Sequence, residues 1–380
     1  MDHRQLCSQA ADALAAVPAD HRPRVTVGFD GFIDHIIAVV GTRASATSYT
    51  AMATIAEFGA RVSDAAGKSA NFELVVKQSK IGGNGPIMAN ALCGYDARVT
   101  AVGLLGDGGI DPVFAPLAAR AEEVVSLGAA ASTDALEFAD GKLMLGKLLP
   151  MDVVTWPTLV AKLGVQRIHD VVARSAAIAT VNWTMTLGMT DIWERLISEV
   201  FSDPALATHR PLFFVDLADP AKRTLDDQRL GLTTLTALQR HAEVVLGMNE
   251  MELRQVLAAL EMPWPTGGSE HEQARQGCEL VRDRLGIAVA MCHLVKSAAV
   301  AWHRDDQKGS ASAEGFFEPK PKITTGAGDH FNAGFLAALL AGIAPLQAIQ
   351  IGGATSGFYV RNAASPSRAD VIAFLRGAAR

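Results

Sequence analysis

A chain of 380 residues, 49% of them hydrophobic, is long enough to bury a large core. Charged residues make up 19%, the formal net charge is -6, and the two signs are interspersed, which argues against a nucleic-acid-binding arm or a polybasic membrane patch. The N-terminal stretch, Met1 to Arg24, lacks the apolar segment of a signal peptide, and Cys7, Cys93, Cys278 and Cys292 form no CxxC or Cys/His cluster; isolated thiols and a cytoplasmic location are expected.

Taken in chain order, the first expected strand is Arg24–Gly28. A helical segment follows over roughly Tyr49–Ala65. Leu74–Lys80 then alternates like a half-exposed antiparallel strand. Ile87–Leu92 is helical and Arg98–Gly103 a strand. Ala135–Leu148 alternates again, with Ala139-Asp140-Gly141 as a hairpin turn. Further strands are expected at Ala176–Thr180, Leu212–Asp216, Val244–Gly247 and Ala288–Lys296, with helices at Asp191–Val200, Glu250–Leu260 and Glu270–Leu285. No charged residue lies between Asp329 and Arg361; the Gly342–Pro345 break divides this run into two buried helices rather than a membrane span. The alternation predicts an α/β fold, a central and mostly parallel sheet with helices on both faces. The two half-exposed stretches predict a small β-rich lid, built from approximately residues 34–80 and 130–150 and inserted into a single domain spanning 1–380.

The strongest local pattern is Thr324-Thr325-Gly326-Ala327-Gly328-Asp329-His330-Phe331-Asn332-Ala333-Gly334, a small-residue loop running into an Ala- and Leu-rich helix. Amides of Gly326, Ala327 and Gly328 at a helix start suit an anion, and Asp329 beside them suits a base that takes a proton from a hydroxyl. Taken alone, the same residues also describe a glycine-rich helix cap. Ile81-Gly82-Gly83-Asn84-Gly85-Pro86 is a second glycine-rich loop, in which Gly83 and Asn84 can approach and bond a polyhydroxylated ligand.

Together these segments resemble the signatures of the ribokinase, or PfkB, family of carbohydrate and nucleoside kinases. The C-terminal one resembles DTxGAGDxFxxG, with Thr324 where the family usually has Asp. The loop around Gly83 and Asn84, continuing through Gly94 to Val102-Gly103-Leu104-Leu105-Gly106-Asp107-Gly108, resembles the family's upstream region. The resemblance covers roughly residues 24 to 375 and implies a ribokinase-like fold, an ATP donor and Mg²⁺. It implies Asp329 as general base, with Gly326, Ala327 and Gly328 as the anion hole. Asp34, and with it Asp30, falls at the end of the first strand, where the family holds substrate hydroxyls. Asn249-Glu250-Met251-Glu252 resembles the NxxE motif, which implies Asn249 on the nucleotide and Glu252 on Mg²⁺ through water; a helix cap by Asn249 is the other reading. Ser297 and Thr325 are the remaining nucleotide contacts, although the turn at Ser297 lacks the usual glycine. Asp216 to Arg223 resembles the DxNxR segment, with Asp219 in place of Asn; Arg223 or Lys222 would meet phosphate, and a solvated turn is the alternative. Asn182 follows a strand end near substrate, and Trp183 is read as packing.

Competing patterns fail. Gly67-Lys68-Ser69 lacks the first glycine of a P-loop, and neither GxGxxG after the first strand nor GxSxG is present. The expected activity is ATP-dependent phosphorylation of a hydroxyl on a sugar or sugar-like molecule, with a possible homodimer formed through the lid. A nucleoside kinase, with Phe29 and Phe32 against the base, and a non-catalytic sugar- or nucleotide-sensing homologue are the alternatives.

Overall fold

The computed structural model describes residues 2–304 and 306–380. Strands β1 (Arg24–Gly28), β2 (Phe32–Arg43), β3 (Tyr49–Ala51), β4 (Leu74–Gly82) and β5 (Arg98–Gly103) come first. Then follow β6 (Glu123–Ser126), β7 (Ala131–Phe138), β8 (Gly141–Lys147), β9 (Ala177–Thr180) and β10 (Leu212–Asp216). The last are β11 (Glu243–Asn249), β12 (Val289–His293), β13 (Ser297–Arg304) and β14 (Gln307–Glu314).

Nine of them form the main sheet in the order β14-β13-β12-β11-β10-β9-β1-β5-β6. From β12 to β6 every neighbour is parallel; only β13 and β14 run antiparallel. The parallel strands are continuously apolar because helices cover both faces. Alternation along β10 sends Phe213 into one core and Phe214 into the other. The carboxyl ends of β1, β9, β10, β11 and β12 therefore lie along one edge, where an open α/β sheet offers its ligand crevice.

A second sheet stands over that edge, in the order β3-β2-β7-β8, with β4 on the other flank of β2. Its own core is small: Ile37, Val39, Met52 and Leu136, backed by Phe58, Phe72, Phe138 and Leu143. The helix Ile55–Ser63 packs here, capped by Thr54 Oγ1, which accepts from Glu57 N at 3.0 Å.

Several elements differ from expectation. The segment expected to be helical over Tyr49–Ala65 starts as strand β3, and its helix spans only Ile55–Ser63. The central lid strand, β2, was not predicted, because its segment Ile36–Val40 is apolar without alternation and follows a glycine-rich turn. The run Ala288–Lys296 is not one strand: β12 ends at His293, and Leu294 N donates to the Ser297 carbonyl at 2.8 Å as the chain reverses into β13. Apolarity alone does not separate one buried strand from two. The Asp191–Val200 helix runs as Met189–Arg195 and then widens to a π-helical turn over Leu196–Phe201. The uncharged stretch forms the helices Ala327–Leu340 and Pro345–Asn362, and among the described residues no helix is long and apolar enough to cross a membrane.

Candidate active site

The exit of β1 carries the first polar cluster. Asp30 is 1% exposed, and its carboxylate accepts from Asn84 N at 2.9 Å, Gly85 N at 2.7 Å and Asn182 Nδ2 at 2.8 Å. It thus caps the helix Asn84–Cys93, satisfying amides that would otherwise have no partner. Burial outweighs these donors and pushes its pKa up to about 6. The glycines of the loop have a steric reason. A Cβ on Gly85 would stand 2.7 Å from Asp30 Oδ1, and one on Gly82 would stand 2.4 Å from Asp34 Oδ1. Gly83, at φ 85°, also sits in the left-handed region. Asp34 is buried on β2 beside Thr133, and its pKa is raised by burial, with Lys80 opposing.

The loop before Ala327–Leu340 carries the second. Gly326, at φ 89°, caps this helix. Ala327 N already donates to the Thr324 carbonyl at 3.1 Å, whereas Gly328 N has no hydrogen-bond partner among the described residues. Asp329 follows directly, buried, with its pKa raised well above the usual carboxylate range. Burial is the main cause, and the charges of Asp216 and Asp30 add to it, while a hydrogen bond from Asn84 works against it. Asp216, at the end of β10, accepts from Asn332 Nδ2 at 2.8 Å and from Ala218 N at 2.9 Å. Its pKa too is pushed well up, by burial and then by Glu252. The Asn332 Oδ1 atom is buried without a partner.

Glu252 and Asn249 form a reciprocal cap: Asn249 N donates to Glu252 Oε2 at 2.8 Å, and Glu252 N to Asn249 Oδ1 at 3.0 Å. Asp219 N adds a third bond, to Glu252 Oε1 at 3.0 Å. Both carboxylate oxygens of Glu252 are therefore engaged.

Two cavities meet at this loop. One, of about 740 Å³, is lined by Asn249, His293, Ser297, Phe317, Gly328 and Phe331, among others. The other, of about 880 Å³, lies under the lid and is lined by Asp34, Lys80, Glu137, Lys142, Thr324 and Thr325, among others. Thr324 lines both, so it forms part of the wall between them. Thr325 is on the lid side, away from Asn249 and Ser297. The turn at Ser297 closes without glycine, because the Leu294-to-Ser297 bond needs no side-chain-free position.

The family model described as prokaryotic ketohexokinase matches residues 4–378. The chain belongs to the prokaryotic ketohexokinase family. A ketohexokinase from Haloferax volcanii is 29% identical over 358 residues, covering 93% of this chain and 91% of that protein. Among solved structures, a carbohydrate kinase from Agrobacterium tumefaciens matches with TM-score 0.60 at 17% identity, covering 93% of this chain and 97% of its own. The ribokinase of Arabidopsis thaliana, solved with ribose and ATP, matches with TM-score 0.60 at 16% identity, covering 93% and 99%. The ribokinase-like fold is thus shared, and the family makes this chain a carbohydrate kinase that transfers phosphate to a hydroxyl.

The structure also separates the site residues by what they do locally. Asp329, Asn84 and Asp30 are drawn together, and Asn249 with Ser297 lines the cavity on the other side of Gly328. Arg223, a candidate phosphate ligand, is committed elsewhere: its guanidinium donates to the carbonyls of Thr184 (3.1 Å), Trp183 (2.6 Å) and Thr186 (2.6 Å). Trp183 is buried beneath it, as a packing residue. Asn332, His293 and Lys142 were not singled out from the sequence. Asn332 had a readable signal, since its place three residues after Asp329 puts both on one helix face.

Proposed function

We propose that this ketohexokinase-family chain transfers the γ-phosphoryl group of ATP to a hydroxyl of a ketohexose, with Asp329 as general base. The observation that carries this reading is the Gly328-Asp329 step. Gly328 lines the apolar-walled cavity with an amide that has no partner among the described residues, and the side chain of Asn84, in the loop after β4, favours the charged form of the next residue.

In this account Asp34 and Asn84 orient the sugar hydroxyls. Asp329 takes the proton of the attacking hydroxyl as its oxygen bonds to phosphorus. The Gly326 and Gly328 amides, at the positive end of the helix, stabilise the charge on the moving group, with Ala327 N shared between the loop and the anion. Asn249 and Ser297 sit along the nucleotide cavity, while Thr325 positions the loop itself. A closed lid excludes water, which would otherwise compete as acceptor.

The residues fit Mg²⁺ held mainly through water. Asp216, Glu252 and Asp329 form a negative field in which Asp216 raises the pKa of Asp329 and Glu252 that of Asp216, yet among the described residues no group of three or more side chains is placed to chelate a metal directly. Bound there, the ion would supply charge neutralisation on the phosphates and lower the raised pKa of Asp329. The exposed lid side chains Leu74 and Val76, two residues apart on β4, are where a homodimer would form.

The test is stoichiometric: ADP release and sugar phosphate formation measured with ATP and Mg²⁺ over ketohexoses, aldoses and nucleosides. Transfer to a ketohexose in preference to the others is expected. Ligand binding seen as a thermal shift, but with no transfer to any acceptor, would instead make the chain a sensing homologue.

A further inference from the structure

The body of the protein brings little positive charge to the transfer point. Arg223 is held by three carbonyls and lies 4.1 Å from the centre of the Trp183 ring. Lys222 pairs with Asp219 at 3.3 Å. Among the described residues the cavity assigned to the nucleotide is lined by Glu250, Glu314 and Glu318 but by no lysine or arginine, although Lys296 Nζ lies 5.0 Å from the centre of the Phe317 ring in its wall. A phosphate chain bound there would meet amide dipoles rather than a lining cation.

The lid reverses this. Lys80, Lys142 and Lys322 all line the cleft beneath it. Of these, Lys142 reaches both halves of the site. Its Nζ donates to Thr325 Oγ1, on the residue next to Gly326 of the anion loop. Its charge also acts on Asp34 and on Lys80 across the cleft. Lys142 is half-buried and sits just after the hairpin turn. That turn is anchored by Ile55 N donating to Asp140 Oδ1 at 2.9 Å and by Ala139 N donating to the Ala53 carbonyl at 2.8 Å. A side chain on so supported a tip is positioned by the lid as a whole.

We propose that Lys142 is a catalytic residue that the lid delivers to the transferring phosphoryl group. The proposal rests on the kinase reading above and adds to it the source of the cation on the acceptor side. With the donor bound, Nζ exchanges Thr325 Oγ1 for a non-bridging phosphoryl oxygen. The acceptor oxygen bonds to phosphorus and its proton goes to Asp329. The bond from phosphorus to the bridging oxygen breaks, and the electron pair leaves on ADP. Lys142 keeps all its protons and contributes charge alone.

The experiment compares wild type, Lys142→Met and Lys142→Arg in steady-state phosphorylation of the best ketohexose, with melting temperature and lid hydrogen exchange on the same samples. The expected result is a kcat lowered about 10²- to 10³-fold in Lys142→Met, the loss typical of one transition-state donor. Both KM values should stay within about threefold, lid exchange should be unchanged, and Lys142→Arg should recover at least about a tenth of the rate. If Lys142→Met does not fold, Lys142→Gln takes its place under the same criteria. A kcat within about threefold of wild type overturns the proposal. So does a defect confined to the sugar KM with faster lid exchange, which would mark a structural latch onto Thr325. If wild type itself phosphorylates no sugar, the kinase reading fails, and that outcome is visible in the first arm.

Discussion

The main sheet and the lid are built to different standards. The sheet strands β9 and β10 are buried at every position and sit between two extensive cores. The lid's own apolar cluster has four buried side chains, Ile37, Val39, Met52 and Leu136, and the lid leaves Leu74, Val76, Met144 and Leu145 open. The anion loop, Asp329 and the acids around it all belong to the rigid part. Asp34, Lys80, Thr133 and Lys142 belong to the lid. The loop around Asp329 is thus held between the large cores, and Asp34 and Lys142 by an element with a small core, the kind from which closing parts are drawn. The coupling point is small: Asp30 ties the end of β1 to the Asn84 helix, and Lys142 ties the lid to Thr325.

The contrast is sharpened most by Asp329→Asn, which keeps the shape of the rigid half and removes its base. Turnover is expected to fall about 10²- to 10⁴-fold, while calorimetry shows sugar and nucleotide still binding. Retention of most activity would shift the base to another group. Next in size is Asp30→Ala, which strands the Asn84 and Gly85 amides and the Asn182 amide group in a buried site. A loss of about 2–4 kcal/mol in unfolding free energy is expected by denaturant titration, moderated by relief of a carboxylate that burial already disfavours. If stability does not change, Asp30 is not the tie between strand and helix. The smallest global effect is expected from Leu136→Ala in the lid core. It should cost ~2 kcal/mol locally, read as faster amide exchange in β2, β4, β7 and β8 with β9–β12 unchanged. Uniform acceleration in both sheets would mean that lid and body unfold as one unit.

Much of this was legible in the amino-acid sequence because the chemistry sits in glycine-rich segments. The loops Gly82–Gly85 and Gly326–Gly328 are glycine-rich, a Cβ at Gly82 or Gly85 would clash with Asp34 or Asp30, and residue type alone marks them as places where backbone approaches a polar group. The parallel strands were readable for the same kind of reason, as apolar runs buried on both faces. What was hidden is long-range. Asp30 reads as a hydroxyl ligand at a strand end, and only the fold shows its carboxylate capping a helix 54 positions away. The hairpin at Ala139-Asp140-Gly141 was apparent as a turn, but nothing local indicates that the residue after it meets Thr325, 183 positions on. The β12–β13 reversal was masked by apolarity that runs through both strands. Arg223 had the type and place of a phosphate ligand, and the carbonyls of Trp183, Thr184 and Thr186 took it instead.

The central claim, that ionised Asp329 is the base, is tested most directly by the pH dependence of single-turnover phosphoryl transfer. A carboxyl raised above its ordinary value stays protonated to higher pH, so the active form appears only as pH rises through that raised value. Wild type should therefore lose rate on acidification, and the residual rate of Asp329→Asn should lack that acid limb. The same acid limb in both proteins would assign the titration, and the proton, to a group other than Asp329.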